Sequence, residues 1–392
     1  MKRLNIAPPP GYGQYYIRLP SEGLGVFFNG WTDPANIPEG AGEYHGHVAA
    51  HMTDPISFPP GKLPVAILER LIRTYTSSIH GVVVGASIGE DAAAIDFGEK
   101  YLLAKTDPIT FVAEDIGTYT VFVNSNDIAS MGGRPLWFLA TVLLPEKGAT
   151  QELIERIFDQ LSSACRRIDV AFCGGHTEIT VGIDRPIVIG TMLGEVEKNR
   201  LITTGGARPG DDILLTKAIA IEGASIIARE KGEELARLFG EEILRRCRNL
   251  AEKPGISVLE DARIAMRNGR VHSMHDPTEG GLANALHEVA SAADVGLFIE
   301  EDRIPILDDC RVLCRHYGLD PLGLIASGSL LIMVEPSDSG RIMRSLEEAG
   351  VPAAKIGRIT QKEQGVKSRS EGRIKDLPRF DRDEITKILE RA

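Results

Sequence analysis

Four short stretches of this 392-residue chain set acidic and amide side chains beside glycines. Gly89-Glu90-Asp91-Ala92-Ala93-Ala94 offers carboxylates among small residues, inside residues 85–95, which read as a flexible loop. Lys105-Thr106-Asp107-Pro108 closes an apolar run. Asn124-Ser125-Asn126-Asp127 sits at one end of an apolar helical pattern and leads to Met131-Gly132-Gly133-Arg134-Pro135. Cys173-Gly174-Gly175-His176-Thr177-Glu178 breaks a strand-like run with two glycines. Hard oxygen ligands spread over several loops suit Mg²⁺, which takes one or two carboxylates and completes its shell with phosphate and water. Taken singly, Asp91, Asp107 and Asp127 are also what caps and turns use. Their succession carries the metal reading.

The elements that must position these groups follow from hydrophobic period. Residues 63–75 place Leu63, Ile67, Leu68, Leu71 and Ile72 on one helical face. Helices are also expected at 118–131, 151–168, 221–231, 233–250, 257–268, 281–292 and 338–349, and short strands at 82–84, 101–104, 137–144, 170–172 and 186–193. Further strands are expected at 212–216, 296–299 and 328–334, and residues 205–211 form a turn-rich joint. Two α/β units in tandem result. The expected divisions are a Pro/Gly-rich extension at 1–61, an N-terminal domain at 62–204, a C-terminal domain at 205–361 and a charged tail at 362–392. The apolar runs 101–106 and 137–144 read as a sheet edge, a hazard when exposed. Pairing across a two-fold axis would remove it, so a homodimer is expected.

Composition narrows the partners. Lys and Arg number 44 against 55 Asp and Glu, a net charge of −11, which argues against nucleic acid or an acidic membrane surface. No apolar run reaches the ~18–20 residues of a membrane helix, and Pro8-Pro9-Pro10 cuts short any leader, so a cytoplasmic protein is expected. Five cysteines without a Cys-x-x-Cys pair argue against a disulfide framework or a four-thiolate zinc site. Cys310 and Cys314 read as packed thiols on a helix. His45, His47 and His51 lack supporting carboxylates and read as no metal site.

The order of the motifs resembles the aminoimidazole ribonucleotide synthetase superfamily. Gly89–Ala94, Thr106-Asp107, Asn126-Asp127-Ile128-Ala129 with Met131-Gly132-Gly133, and Gly174-Gly175 with Thr177 carry that likeness. Asp276-Pro277-Thr278-Glu279-Gly280-Gly281 and Ala326-Ser327-Gly328-Ser329-Leu330 look most like its hydrogenase-maturation HypE branch, which usually has Arg where Glu279 stands. The resemblance covers about residues 63–360. It implies an α/β N-terminal domain whose sheet pairs across a homodimer, and an α+β C-terminal domain. It also implies ATP and Mg²⁺ in a cleft, with Asp91, Asp107 and Asp127 on the metal. Asn124, Asn126, Gly174, Gly175, Thr177, Asp276, Gly280 and Gly281 join Asp91, Asp107 and Asp127 as expected nucleotide-binding residues.

The chemistry so implied is transfer of the ATP γ-phosphoryl group to a weak, amide-like oxygen on a small molecule or a partner-borne group. Lys105 or Arg134 is expected to stabilise developing charge. His275 is expected as a general acid or base, with a packed histidine as the plain alternative. Gly280-Gly281 precedes a helix, whose free N–H groups are expected to hold an anion, unless the pair is a simple turn. HypE-like enzymes end in a cysteine-bearing tail, whereas the last cysteine here is Cys314. A selenophosphate synthetase would need an N-terminal Cys or selenocysteine, and residues 1–60 have no cysteine. A thiamine-monophosphate-kinase-like small-molecule kinase and a non-catalytic nucleotide-binding scaffold, working with a maturation partner protein, are the other readings.

Overall fold

The computed structural model describes residues 15–18, 24–27 and 61–389. Strands β1 (Tyr15–Arg18) and β2 (Leu24–Phe27) form an antiparallel pair, with Tyr15 opposite Phe27. They belong to a unit of residues 1–57, and residues 58–392 form the other. His45, His47 and His51 lie outside the described residues.

The second unit opens with α1 (Val65–Tyr75) and continues into a six-stranded sheet. Its elements are β3 (Val82–Val84), β4 (Ala93–Phe97), β5 (Lys100–Ile109), α2 (Ile116–Ser130), β6 (Arg134–Pro145), α3 (Gln151–Arg167), β7 (Ala171–Thr180) and β8 (Ile187–Glu197). The strand order is β3-β4-β5-β8-β6-β7, antiparallel throughout except for the parallel pair β6–β7. Along β8, buried and half-buried residues alternate, as a strand covered by helices on one face requires. Helix α2 provides that cover, and every residue in it except Thr118 is buried.

A seven-stranded sheet follows, in the order β10-β12-β9-β13-β11-β14-β15. Its first elements are β9 (Asp212–Thr216), α4 (Ile221–Glu230), α5 (Gly232–Phe239), α6 (Glu241–Asn249), α7 (Leu259–Asn268), β10 (Val271–His275) and α8 (Gly281–Ala293). The remainder are β11 (Gly296–Glu300), α9 (Asp308–Tyr317), β12 (Leu331–Val334), α10 (Pro336–Glu348), β13 (Ala353–Thr360), β14 (Val366–Ser370), β15 (Arg373–Asp376) and α11 (Thr386–Leu389). Strands β9 and β12 are buried on both faces. Ile213, Leu215, Leu331 and Met333 pack with Leu282 and Leu286 of α8. The alternate residues Leu214, Ile332 and Val334 pack with Ile264 of α7 and Ile342 of α10. Helices on both faces explain why these strands read as unbroken apolar runs. The two sheets form the mixed α/β and α+β fold that was expected.

Several expectations need correction. Residues 85–95 are not all loop, because β4 starts at Ala93 and pairs with both β3 and β5. The two glycines do not end the strand at 173. β7 runs through them, and a Cβ on Gly175 would collide with the Ala140 carbonyl of β6. The expected helix 233–250 is interrupted at Gly240, where φ is 86°. Residues 101–106 and 137–144 are no sheet edge, since β5 lies between β4 and β8, and β6 between β8 and β7. Among the described residues, the open edges of the six-stranded sheet are β3 and β7. Sheet residues continue past 361, because β14 and β15 extend the seven-stranded sheet. No described helix is long and apolar enough to cross a membrane.

Candidate functional site

Strand alternation puts Leu103, Lys105 and Asp107 of β5 on the face that α2 covers. Lys105 Nζ lies 3.0 Å from Asp127 Oδ1 of α2 and 3.3 Å from Asp107 Oδ2. Asn124, one turn earlier on α2, clamps the backbone of Asp107. Its Oδ1 accepts the Asp107 N–H at 2.8 Å and its Nδ2 donates to the Asp107 carbonyl at 3.2 Å. Asp91 approaches from the loop before β4. That loop turns at Gly89, where φ is +84° and a Cβ would come within 3.1 Å of the Glu288 carbonyl oxygen. His275 and Asp276 come from the end of β10. His275 Nδ1 lies 2.6 Å from Asp91 Oδ1, and His275 Nε2 lies 2.9 Å from Glu288 Oε2. One ligand atom from each of Asp91, His275 and Asp276 falls within 4.8 Å of the other two.

Charge is out of balance here. Asp91, Asp127, His275 and Asp276 are all buried. Among the described residues, Asp91 Oδ2, Asp127 Oδ2 and both carboxylate oxygens of Asp276 have no hydrogen-bond partner. Burial pushes the Asp276 carboxyl up to about 7, with the nearby Asp91 charge adding to the rise. Burial likewise raises Asp127 well above its ordinary value, against the pull of Lys105. Burial alone would lower Lys105 and His275, but carboxylates outweigh it. Asp127, Asp107 and Asp91 raise Lys105, while Asp91 and Glu288 raise His275 well above its ordinary value. Both cations therefore stay charged at neutral pH. Unpaired, buried carboxylate oxygens are what a hard divalent cation would satisfy, so the donor set fits Mg²⁺.

Other expected residues are placed differently. The Asn126 amide is committed elsewhere, donating to the Ile256 carbonyl at 2.8 Å and accepting the Val258 N–H at 2.9 Å. It braces the segment before α7. The helix start at Gly280-Gly281 is not free for an anion either. Gly280 N–H donates to Asp383 Oδ2 at 2.7 Å and Gly281 N–H to the Thr278 carbonyl at 3.0 Å. A carboxylate from the chain's own C-terminal segment fills that cradle, where a helix start favours negative charge. Gly174, Gly175 and Thr177 lie on the exposed edge strand β7, with β8 and β6 between it and β5. Within one chain they do not join the carboxylates. Arg134, at the start of β6, is exposed and stands opposite Glu195 on β8, whereas Lys105 stands opposite Met192.

Known proteins resemble this chain in sequence and in fold. Models of the AIR synthase related protein match in two parts, the N-terminal domain over residues 89–196 and the C-terminal domain over residues 208–368. A putative hydrogenase expression/formation protein of Methanocaldococcus jannaschii is 30% identical over 297 residues, spanning 74% of this chain and 85% of that protein. The chain belongs to the AIR synthase related family. The carbamoyl dehydratase HypE of Cupriavidus necator is 29% identical over 283 residues, covering 70% of this chain and 77% of its own length. A crystal structure of the hydrogenase maturation protein HypE in complex with ATP superimposes with a TM-score of 0.63 at 25% identity. It covers 81% of this chain and 95% of that one.

Two residues of this AIR synthase related chain belong to the site although no motif marked them. Glu288, the second partner of His275, sits one helical turn beyond Asn284 on α8. Lys62, next to Gly61, reaches Glu288 Oε1 at 3.5 Å and Thr278 Oγ1 at 3.3 Å. Polar residues on the buried side of an otherwise apolar helix were the available signal for Glu288. Nothing local marks Lys62.

Proposed function

We propose that this AIR synthase related chain binds ATP with Mg²⁺ at Asp91, Asp107, Asp127 and Asp276 and uses it to dehydrate a carbamoyl group borne by a partner protein. The observation that carries this reading is the set of four buried carboxylate oxygens without partners among the described residues, beside a charged lysine. The similarity to carbamoyl dehydratases and to a HypE that binds ATP supports the choice of substrate. Bound Mg²⁺ would neutralise phosphate charge and fix its geometry. The protein's own task is then positioning and charge stabilisation, which is most of what phosphoryl transfer asks.

Lys105 is held between Asp107 and Asp127, so its ammonium is aimed and stays charged for the developing negative charge on the transferred group. Asn124 keeps the Asp107 backbone in register. His275 is an imidazolium fixed between Asp91 and Glu288, which makes it a charge holder and proton donor rather than a base at neutral pH. In the reaction, the carbamoyl oxygen attacks the γ-phosphorus and ADP leaves. The carbon–oxygen bond then breaks and phosphate departs, while the nitrogen gives up both protons, one to the departing phosphate and one to water, to become a nitrile.

Single-turnover ATP hydrolysis with and without a carbamoylated acceptor tests the proposal. Acceptor-dependent ADP and phosphate release, lost in Lys105→Met, is the expected result. A phosphorylated small molecule as product would instead point to a small-molecule kinase. Tight ATP binding without turnover would point to a scaffold.

A further inference from the structure

We propose that a cavity between the turn after α2 and helix α7 is a second anion site, built for a small phosphate-bearing ligand. The cavity measures about 340 Å³, within the size range of small-ligand pockets, roughly 300–1,000 Å³. Gly132, Gly133 and Pro135 line one side, and Leu259 and Met266 supply apolar wall. Five cations line it, Lys100, Arg134, Arg200, Arg263 and Arg267, against the two carboxylates of Glu195 and Glu197. Lys100 spans both carboxylates, at 2.9 and 3.3 Å. Arg263 is held by Glu260. Among the described residues, Arg134 and Arg200 have no hydrogen-bond or ion-pair partner, and Arg267 makes no direct bond, although the Glu260 charge that holds Arg263 also acts on it.

Three guanidinium groups without a direct bond thus surround one cavity, in a chain of net charge −11. The 770 Å³ groove beside α6 gives the contrast. There Arg229, Arg245 and Arg246 already pair with Asp115, Glu242 and Asp309. Like charges that share a cavity repel, and an entering anion removes that cost. Guanidinium groups favour phosphate because their planar forks match its oxygens two at a time. The apolar wall leaves room for an organic substituent. This cavity is not the carboxylate site. Lys100 opens β5, and Asp107 lies seven residues on, roughly 23 Å away at 3.3 Å per residue.

Calorimetric titration with inorganic pyrophosphate at low salt, in EDTA, separates the two sites. Without metal, the carboxylate cluster repels a bare polyanion, so the heat reports the arginine-lined cavity. The expected result is one pyrophosphate bound per chain, weakened at least tenfold in the double variant Arg200→Ala/Arg267→Ala and by added salt. Both side chains are exposed and make no hydrogen bond or direct ion pair among the described residues, so the variant should keep the wild-type melting temperature and its Mg·ATP affinity. Absence of saturable binding to the wild type, or unchanged binding to the double variant, would overturn the assignment. So would equal affinity for citrate, which would mean simple charge attraction. If ATP binding fails while pyrophosphate binding persists, the proposed function falls and this site stands.

Discussion

His275 Nδ1 lies 2.6 Å from Asp91 Oδ1 and joins the end of β10 in one sheet to the loop entering β4 in the other. The imidazolium also meets Glu288 at 2.9 Å, so one buried cation serves two carboxylates. Removing it strands both. His275→Ala should destabilise the metal-free protein by about 3 kcal/mol, the range for breaking a buried ion pair from one side. Mg²⁺ should recover part of that loss, because a divalent cation can take over the charge. Urea unfolding with and without Mg²⁺ measures both. A loss below ~1 kcal/mol would show that the histidine is ordinary packing.

Asp107 is the least buried of the four acids, yet its backbone is clamped by Asn124. Asp107→Asn should weaken Mg·ATP binding at least tenfold, on the order of 1.4 kcal/mol. ATP without Mg²⁺ should bind both proteins equally weakly. Calorimetry that finds equal wild-type affinity with and without Mg²⁺ would remove the metal from the reading.

Legibility in the sequence depended on how local each signal was. Apolar period located α3 and β8 because each packs one face on a core. β10 was missed because Val271-His272-Ser273-Met274-His275 mixes polar and apolar residues, and Val271 and Met274 are buried by packing with helix residues such as Ile264 and Ile342. β14 and β15 were missed because their charged residues suit an exposed sheet edge and read as tail. The acids of the site stood out as types and order, but Asp91 and His275 are far apart in sequence and only the fold joins them. The same distance effect misled the reading of Gly280, whose N–H is satisfied by Asp383 near the other end of the chain.

Glu222 predicts a pH dependence of stability. It is buried at the start of α4, where Oε2 accepts the Ser327 N–H at 3.0 Å. Burial outweighs that hydrogen bond and pushes its carboxyl from 4.5 up to about 7. Between those values the folded protein keeps a proton that the unfolded chain gives up. The contribution is therefore complete below the lower value, falls as pH rises, and is lost above the upper one. Glu222→Gln keeps the oxygen acceptor and cannot ionise. It should be more stable than wild type at roughly pH 8, by on the order of 2 kcal/mol. Unfolding midpoints across a pH series should converge at the acid end, and parallel curves would refute the buried-carboxylate account.

Edge strand β7 and the half-buried face of β6 and β8 predict a homodimer. Ile179 and Val181 are 60% and 76% exposed at or just beyond the open edge, and Trp137 on β6 is 42% exposed. An edge with apolar neighbours invites pairing with a second copy. Ile179→Lys/Val181→Lys should weaken dimerisation at least tenfold while leaving the monomer folded, because neither side chain is in the core. Sedimentation velocity reads the change directly. A wild-type monomer at micromolar concentration would end the prediction.

The thiols give a last prediction. Cys173, on β7, is the one exposed cysteine, while Cys165, Cys247, Cys310 and Cys314 are buried. Burial pushes Cys165, Cys247 and Cys314 up to about 12 and raises Cys310 further. A thiol needs its thiolate to react, and a rise of about three units leaves roughly a thousandth of the usual thiolate at neutral pH. α9 also holds Cys310 and Cys314 on its packed face, so neither can swing towards the carboxylate cluster. A chromogenic disulfide should therefore titrate one thiol quickly in the native protein and all five after unfolding, and Cys173→Ser should abolish the fast phase. Incubation with ATP and a carbamoyl donor protein should leave no adduct on Cys310 or Cys314 by intact-mass and peptide analysis. An adduct on either would mean that α9 opens under turnover, and that this chain carries its own carbamoyl acceptor rather than acting on a partner.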